Sequence, residues 1–422
     1  MVLAGSLFLA TYILMFKFDK YKQWIALSSG VLFILFGIIP ISSIVGYIDF
    51  NVLLMMAGMM GLVSLFIESK MPNLLADVIV SKSPNIMIIA VLLSLFAGLI
   101  SAFVDNVATV LMIAPVALSV CNKLKTNPIP IIISIAVSSN LQGAATLVGD
   151  TTAIMLGSSL NMSFMDFFMY KGKPSMFFVV ELGAIASAMI VAFIFRKNKE
   201  KIDRTNEFTK VTDFIPTILL IMDIALLVGL SFVENKPAIT NGLVGCILFL
   251  VGVSYDAIRD KSIKSINEHL VNIDLNTLIL LFGLFIMIGG IIEAGIIDLI
   301  ANTLSSKGSN VFVLYTIIVF ASVIVSAFID NIPYVATMIP IIHSISTTLG
   351  IDATALYFGL LSGATLGGNM TPIGASANIT ALGILKTAGY DVKTKEFCKI
   401  GIPFTLAAVI PAYIIIWLLF GI

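Results

Sequence analysis

Two stretches of this chain place the same costly pair of side chains inside otherwise apolar sequence. "SAFVDNVATVLMIAPV" (101–116) carries Asp105 and Asn106, and "SAFIDNIPYVATMIPI" (326–341) carries Asp330 and Asn331, at an offset of 225 residues. A charge at membrane depth costs at least about 2.5–3.5 kcal/mol on insertion scales, so such residues usually mark ion or proton pathways. The register extends well beyond the pair. "DFN" (49–51) meets "DLN" (274–276), Gly58 meets Gly283, Glu68 meets Glu293, and "GAATLVGDTTAI" (143–154) meets "GNMTPIGASANI" (368–379), all at the same offset. The chain is therefore two homologous halves.

Composition says where these halves live. The chain is 59% hydrophobic and 11% charged with a mean hydropathy of +1.08, against about 45–50% and about 25% for soluble domains. It is a polytopic membrane protein. A helix needs about 20 apolar residues to cross a bilayer, and ten segments approach or exceed that: 2–16, 23–46, 51–69, 129–159, 174–196, 213–232, 238–256, 274–297, 353–385 and 400–420. The stretches 84–121 and 309–347 are long enough for a pair of helical arms each, with the Asp-Asn pair at their midpoint. The N-terminus lacks a basic n-region and reads as a first membrane helix rather than a signal peptide. Each half has five crossings, an odd number, so the second half enters the membrane upside down. The expected fold is all-α and polytopic: an inverted-topology repeat of about 10 transmembrane helices, two re-entrant helical hairpins (84–121, 309–347) and two broken helices (129–159, 353–385). The first repeat spans 1–200 and the second 211–422, joined by a charged linker at 201–210. Secondary transporters favour this architecture, with their site at the midplane.

Basic residues set the expected orientation. With the linker 197–210 in the cytoplasm, 20 of the 24 lysines and arginines, Lys22 among them, fall in cytoplasmic loops. Only Lys171, Lys173, Lys236 and Lys307 fall outside. Both termini are then extracytoplasmic, in what is expected to be a bacterial cytoplasmic membrane. A net charge of zero gives no sign of a nucleic-acid partner. Cys121, Cys246 and Cys398 suggest neither a disulfide framework nor a zinc site. No enzyme or cofactor motif is present; the partners expected are the lipid bilayer, a small-molecule or ion substrate, and a coupling ion, Na⁺ or H⁺.

Four polar stations carry the candidate chemistry. The hairpin tips supply Asp105, Asn106 and Thr109 in one half, and Asp330 and Asn331 in the other; Asp105, Asn106, Asp330 and Asn331 form a candidate Na⁺ site. Helix capping by the same acids is a concurrent role. "SSNLQGAATLVGDTT" (138–152) and "SGATLGGNMTPIGASANIT" (362–380) interrupt two apolar segments with glycine and proline, which weaken continuous helix. Each is read as a helix unwound in mid-membrane, where bare backbone must line a wet cavity or be buried in protein. Their candidate binding residues are Ser138, Asn140, Gly143, Thr146, Gly149, Asp150 and Thr151, and Gly368, Asn369, Thr371, Gly374, Ser376 and Asn378. For the glycines, close helix packing is the alternative. Asp150 meets Ala375 in the repeat and Asn378 meets Ala153, so the halves are chemically unequal. Asp223, deep in the segment 213–232, is a candidate proton relay or a polar group at a subunit contact. Glu68 and Glu293 sit near helix ends, where structural roles are expected.

On these residues the chain resembles the ion transporter superfamily of arsenite permeases, NhaD-type sodium–proton antiporters, the melanosomal P protein and divalent-anion–sodium symporters. "DNVATVLMIAPV" is similar to the first hairpin tip of that family, "GAATLVGD" to the unwound segment after it, and "LGGNMTPIGASANI" to the second unwound segment of the arsenite and P-protein branch. "GDTTAIML" (149–156) is closer to the antiporters. Where the anion symporters carry Ser-Asn-Thr, Asp105 and Asp330 replace the serine, and Val107 and Ile332 the threonine. The resemblance implies a dimerising scaffold, here a homodimer, and a transport domain of hairpins and broken helices that moves like an elevator. It also implies coupled transport of a small inorganic solute or anion such as arsenite, with sodium–proton antiport as the alternative and a dicarboxylate symporter or a channel further off.

Overall fold

The computed structural model describes residues 1–197, 208–259, 261, 269–271, 273–306 and 310–421. Most of the linker, 198–207, lies outside the described residues.

The repeat read in the sequence reappears, helix by helix, at the same offset. Phe50–Glu68 matches Leu275–Glu293, Ile86–Ser101 matches Val311–Ser326, and Ile129–Gln142 matches Thr354–Gly367, each shifted by 225 residues. Asn106–Lys123, Thr151–Ser159 and Met176–Ile194 have their counterparts in Asn331–Leu349, Ser376–Thr387 and Thr394–Phe420. Each Asp-Asn pair lies at a turn between two helices, Ile86–Ser101 and Asn106–Lys123 in one half and Val311–Ser326 and Asn331–Leu349 in the other, and the helix is interrupted at 143–150 and 368–375. The two halves run in opposite directions. Glu68, which ends its helix, and Asp274, which begins the matching one, line the same cavity, while Asp49 and Ile292 line another at the far end of the same two helices.

The fold is all-α and polytopic. Among the described residues seven helices are long and apolar enough to cross a membrane alone, and the bent pair Val2–Lys17 and Asp19–Leu35, turned by 115°, would make an eighth if taken as one span. Of the other expected crossings, 129–159 and 353–385 are divided at their breaks, and 213–232 is the single, shorter helix Ile215–Leu230. Segment 23–46 is a helix only to Leu35, followed by a turn at Gly37 and the short helix Ile44–Tyr47. Two further helices, Met71–Lys82 and Ile296–Ser306, connect the outer helices to the hairpins; neither was expected from the sequence.

Packing separates an outer scaffold from an inner unit. In the scaffold, Phe50–Glu68 lies on Thr240–Arg259 and Leu275–Glu293 lies on Lys22–Leu35. Gly58 and Gly283 sit at these two crossings: a Cβ on Gly58 would lie 2.5 Å from the Gly245 carbonyl carbon, and one on Gly283 2.5 Å from the Leu27 nitrogen. Backbones this close are the packing mode of apolar helices in lipid, where small residues let dispersion act. In the inner unit each hairpin arm packs on its broken helix, and Met176–Ile194 lies along Thr394–Phe420.

The described ends of the bundle are polar. At one end Thr209 binds Asp77, and Arg259 Nη1 lies 2.5 Å from Asp213. At the other end Lys171 Nζ lies 2.6 Å from Asp352 Oδ2. Partial burial alone would raise the Asp352 carboxyl; hydrogen bonds from Lys171 and Thr354 outweigh it and hold the group below its ordinary range.

Candidate ion and solute site

Each hairpin tip is a helix start built by its aspartate. The Asp105 side chain ends the turn at 102–105 and accepts hydrogen bonds from the Val107 and Ala108 amides at 2.9 and 3.1 Å; Asp330 accepts from Ile332 at 3.2 Å. Capping is thus real at both tips. It uses one carboxylate oxygen of each acid and leaves the second free for other work. At Asp330 that second oxygen meets the Lys22 ammonium at 2.5 Å. Lys22 is therefore not the loop residue that its place in the sequence suggests: it opens a helix with its side chain turned into the bundle.

The breaks are fastened to the tips by matching contacts. Thr146 donates to the Ala102 carbonyl and Thr371 to the Ala327 carbonyl. These hydroxyls hold backbone and do not line the central cavity. Gly149 and Gly374 allow the approach: a Cβ on Gly149 would stand 2.6 Å from the Gly143 oxygen and 2.9 Å from the Ala102 oxygen, and one on Gly374 2.5 Å from the Gly368 oxygen. The close-packing alternative accounts for these glycines. Gly374→Ala is expected to lower stability by about 1–3 kcal/mol, the usual cost of overpacking. Gly383→Ala, with nothing within 4 Å of the added carbon, should stay within about 0.5 kcal/mol. Melting of the two detergent-purified variants checks the contrast.

Between the tips lies a hydrogen-bond network that crosses the repeat boundary. Asn106 Nδ2 donates to Asn140 Oδ1 at 2.9 Å, and Asn140 Nδ2 donates to the Thr365 carbonyl at 2.7 Å and to Asn369 Oδ1 at 3.1 Å. Asn369 donates in turn to the Val137 carbonyl at 2.8 Å. On the other side, Asn331 Nδ2 and the Thr152 hydroxyl both donate to Asp150 Oδ2, at 3.2 and 2.9 Å, and the Thr152 and Thr365 hydroxyls lie 3.2 Å apart. A buried amide left unpaired would cost about 1–3 kcal/mol, so these partners fix the two halves in one arrangement.

A cavity of ≈ 510 Å³ opens beside this network. Of the residues expected from sequence, Asp105, Asn106, Asn140, Asp150, Thr151, Asp330, Asn331 and Ser376 line it. Glu68 and Asp274 join them at the scaffold side, and no basic side chain is among the lining residues described. Thr109, Ser138, Gly143, Thr146, Gly149, Gly368, Asn369, Thr371, Gly374 and Asn378 stand behind this lining. Thr109 bonds the Asp105 carbonyl at 3.0 Å, and Asn378 bonds the Gly368 and Thr371 carbonyls at 3.1 Å each, tying down the second break.

Asp223 stands apart, 1% exposed, and among the described residues nothing hydrogen-bonds to either carboxylate oxygen. It faces Gly245 of the neighbouring scaffold helix Thr240–Arg259. Sequence reasoning missed Lys22, Thr152 and Thr365 as members of the site. Thr152 lies two residues after Asp150, but Lys22 has no counterpart in the repeat, where position 247 is Ile247.

Comparison with known proteins places this geometry. The citrate transporter family matches residues 10–363 and, in a second overlapping match, 262–422. This chain belongs to that family. It is thereby a membrane transporter of the ion transporter superfamily, as its hairpin tips implied. A 46 kDa membrane protein of Mycobacterium leprae is 32% identical over 430 residues, 99% of this chain and 98% of that one. The human P protein is 24% identical over 445 residues, 87% of this chain and 53% of its own length. In fold, the chain is similar to the crystal structure of the Alcanivorax borkumensis YdaH transporter, described as having an unusual topology. The TM-score is 0.61, over 89% of this chain and 87% of that one, at 14% identity.

Proposed function

We propose that this protein is a cation-coupled secondary transporter that moves a small solute with, or in exchange for, H⁺ or Na⁺. The observation that carries the proposal is the convergence of Asp105, Asp150 and Asp330, drawn from both halves, on one cavity. A low-dielectric cleft lined by one sign of charge concentrates ions of the other sign, and the tips add the side-chain amides of Asn106 and Asn331 and the second carboxylate oxygen of Asp105 as ligands. A free multivalent anion is disfavoured there. The solute therefore enters uncharged, as fully protonated arsenite is, or neutralised. For the citrate of the family's description, that means entry with protons or with a bound metal cation.

The position of the site supports an elevator movement. Both tips share their cavity with Glu68 and Asp274, and on the scaffold helix Phe50–Glu68 its lining covers only the half from Met60 to Glu68. Inverting the repeat would carry the inner unit to the opposite end, beside Asp49 and Glu293. By the count of basic residues the present opening faces the cytoplasm. Scaffold helices such as Val2–Lys17 and Ile215–Leu230 expose Ile13, Phe16, Ile218 and Ile221 to lipid or to the second copy of a homodimer.

Sodium–proton antiport is the second reading, favoured by the absence of a basic residue from the described lining, with the ions themselves as cargo. Counterflow in proteoliposomes tests both, using arsenite, Na⁺, Li⁺, succinate, sulfate, and citrate with and without Mg²⁺. Saturable exchange driven by a proton or sodium gradient is expected for at least one solute. Sodium–proton exchange without any solute decides for the antiporter, and ohmic flux that does not saturate would refute both.

A further inference from the structure

The two tips are alike in sequence but not in charge. Asp105 and Asp330 occupy equivalent positions, cap equivalent helices and line one cavity. Yet Asp330 is paired with Lys22 at 2.5 Å, their side chains 17% and 23% exposed, while among the described residues no cation pairs with Asp105. The inverted repeat offers Asp105 nothing comparable, because the position matching Lys22 is Ile247, 57% exposed. Lys22 is anchored from the scaffold side: its neighbour Gln23 donates to Asn276 at 3.1 Å, and Asp19 lies 3.4 Å from its ammonium. An ammonium held there by the chain does what a bound ion does at an empty seat. It neutralises the carboxylate and occupies the space a Na⁺ or proton would take.

We infer that Lys22 is a built-in cation for the second tip, so that of two symmetry-related seats only the one at Asp105 exchanges its cation with solution. This rests on the proposed cation coupling and deepens it, since it sets how many cations accompany each solute. A carboxylate that loses its buried partner becomes an uncompensated charge, and the cheapest remedy is to recruit a cation from solution.

The test is coupling stoichiometry in proteoliposomes, read from the opposing H⁺ or Na⁺ gradient at which net solute flux stops. Lys22→Met should add one cation per cycle to the wild-type number. Asp330→Asn alone, leaving the lysine with only the more exposed Asp19 as partner, should weaken cation activation at least tenfold. The double variant Lys22→Met/Asp330→Asn removes both charges, so it avoids the buried lone carboxylate and folds even where Lys22→Met does not. It should recover part of the cation activation that Asp330→Asn loses, with no more cations per cycle than the wild type. A wild-type number in Lys22→Met, or a double variant as inactive as Asp330→Asn, overturns this inference alone. Wild-type flux indifferent to both ion gradients takes the proposed function down with it.

Discussion

Asp105→Asn is expected to abolish coupled transport at cation concentrations that saturate the wild type, in a protein that still folds and inserts. Asparagine is as good a helix cap as aspartate, so the bonds from Val107 and Ala108 survive and the melting temperature should hardly move. What disappears is the charge. A monovalent cation at about 4 Å from a carboxylate gains about 4 kcal/mol at an effective dielectric constant of about 20. Even after part of that is returned as desolvation, losing it should weaken cation activation on the order of 100-fold. Flux at saturating solute, with the cation concentration varied, separates this from loss of the solute site: high cation should restore part of the rate. Wild-type activation by the cation in the variant would remove Asp105 from the mechanism.

The parts of this structure that sequence reveals are those the repeat writes twice. Asp105 and Asp330 recur at one offset and both cap a helix. Thr146 and Thr371 recur and both latch a break to a tip, and Gly149 and Gly374 both permit a close backbone approach. Helix bounds followed for the same reason. What the offset hides is whatever belongs to one half only. Asn140 faces Thr365 in the alignment and Asn369 faces Ala144, yet Asn140 and Asn369 bond each other across the boundary; a comparison of like with like never pairs them. Lys22 is hidden by a different logic. Counting basic residues by loops assigns a lysine at a helix start to the cytoplasm, and only its long stem lets the charge reach Asp330. The connecting helices Met71–Lys82 and Ile296–Ser306 escaped because a search for about 20 apolar residues passes over helices of 12 and 11 residues.

That asymmetry between equivalent positions also bears on the proposed movement of the inner unit, and the second large prediction follows from it. At the end opposite the open cavity, the Ser158 hydroxyl donates to Asp49 Oδ2 at 2.5 Å, joining the end of the first broken helix to the scaffold helix Phe50–Glu68. The matching positions in the other half are Asp274 and Gly383. Asp274 lines the open cavity, and Gly383 has no neighbour within 4 Å of its Cβ direction. One contact is made and its twin is not. If the halves exchange conformations during transport, the 49–158 contact must open as the 274–383 pair closes. With Cys121, Cys246 and Cys398 replaced, Asp49→Cys/Ser158→Cys should oxidise to a disulfide and lose transport completely, and reductant should restore it. Losing the Asp49 cap costs about 1 kcal/mol, too little to stop the reduced protein from working. A disulfide-locked protein that transports as fast as its reduced form would show that the inner unit stays fixed against the scaffold, and alternating access would then need a gate at the hairpin tips instead.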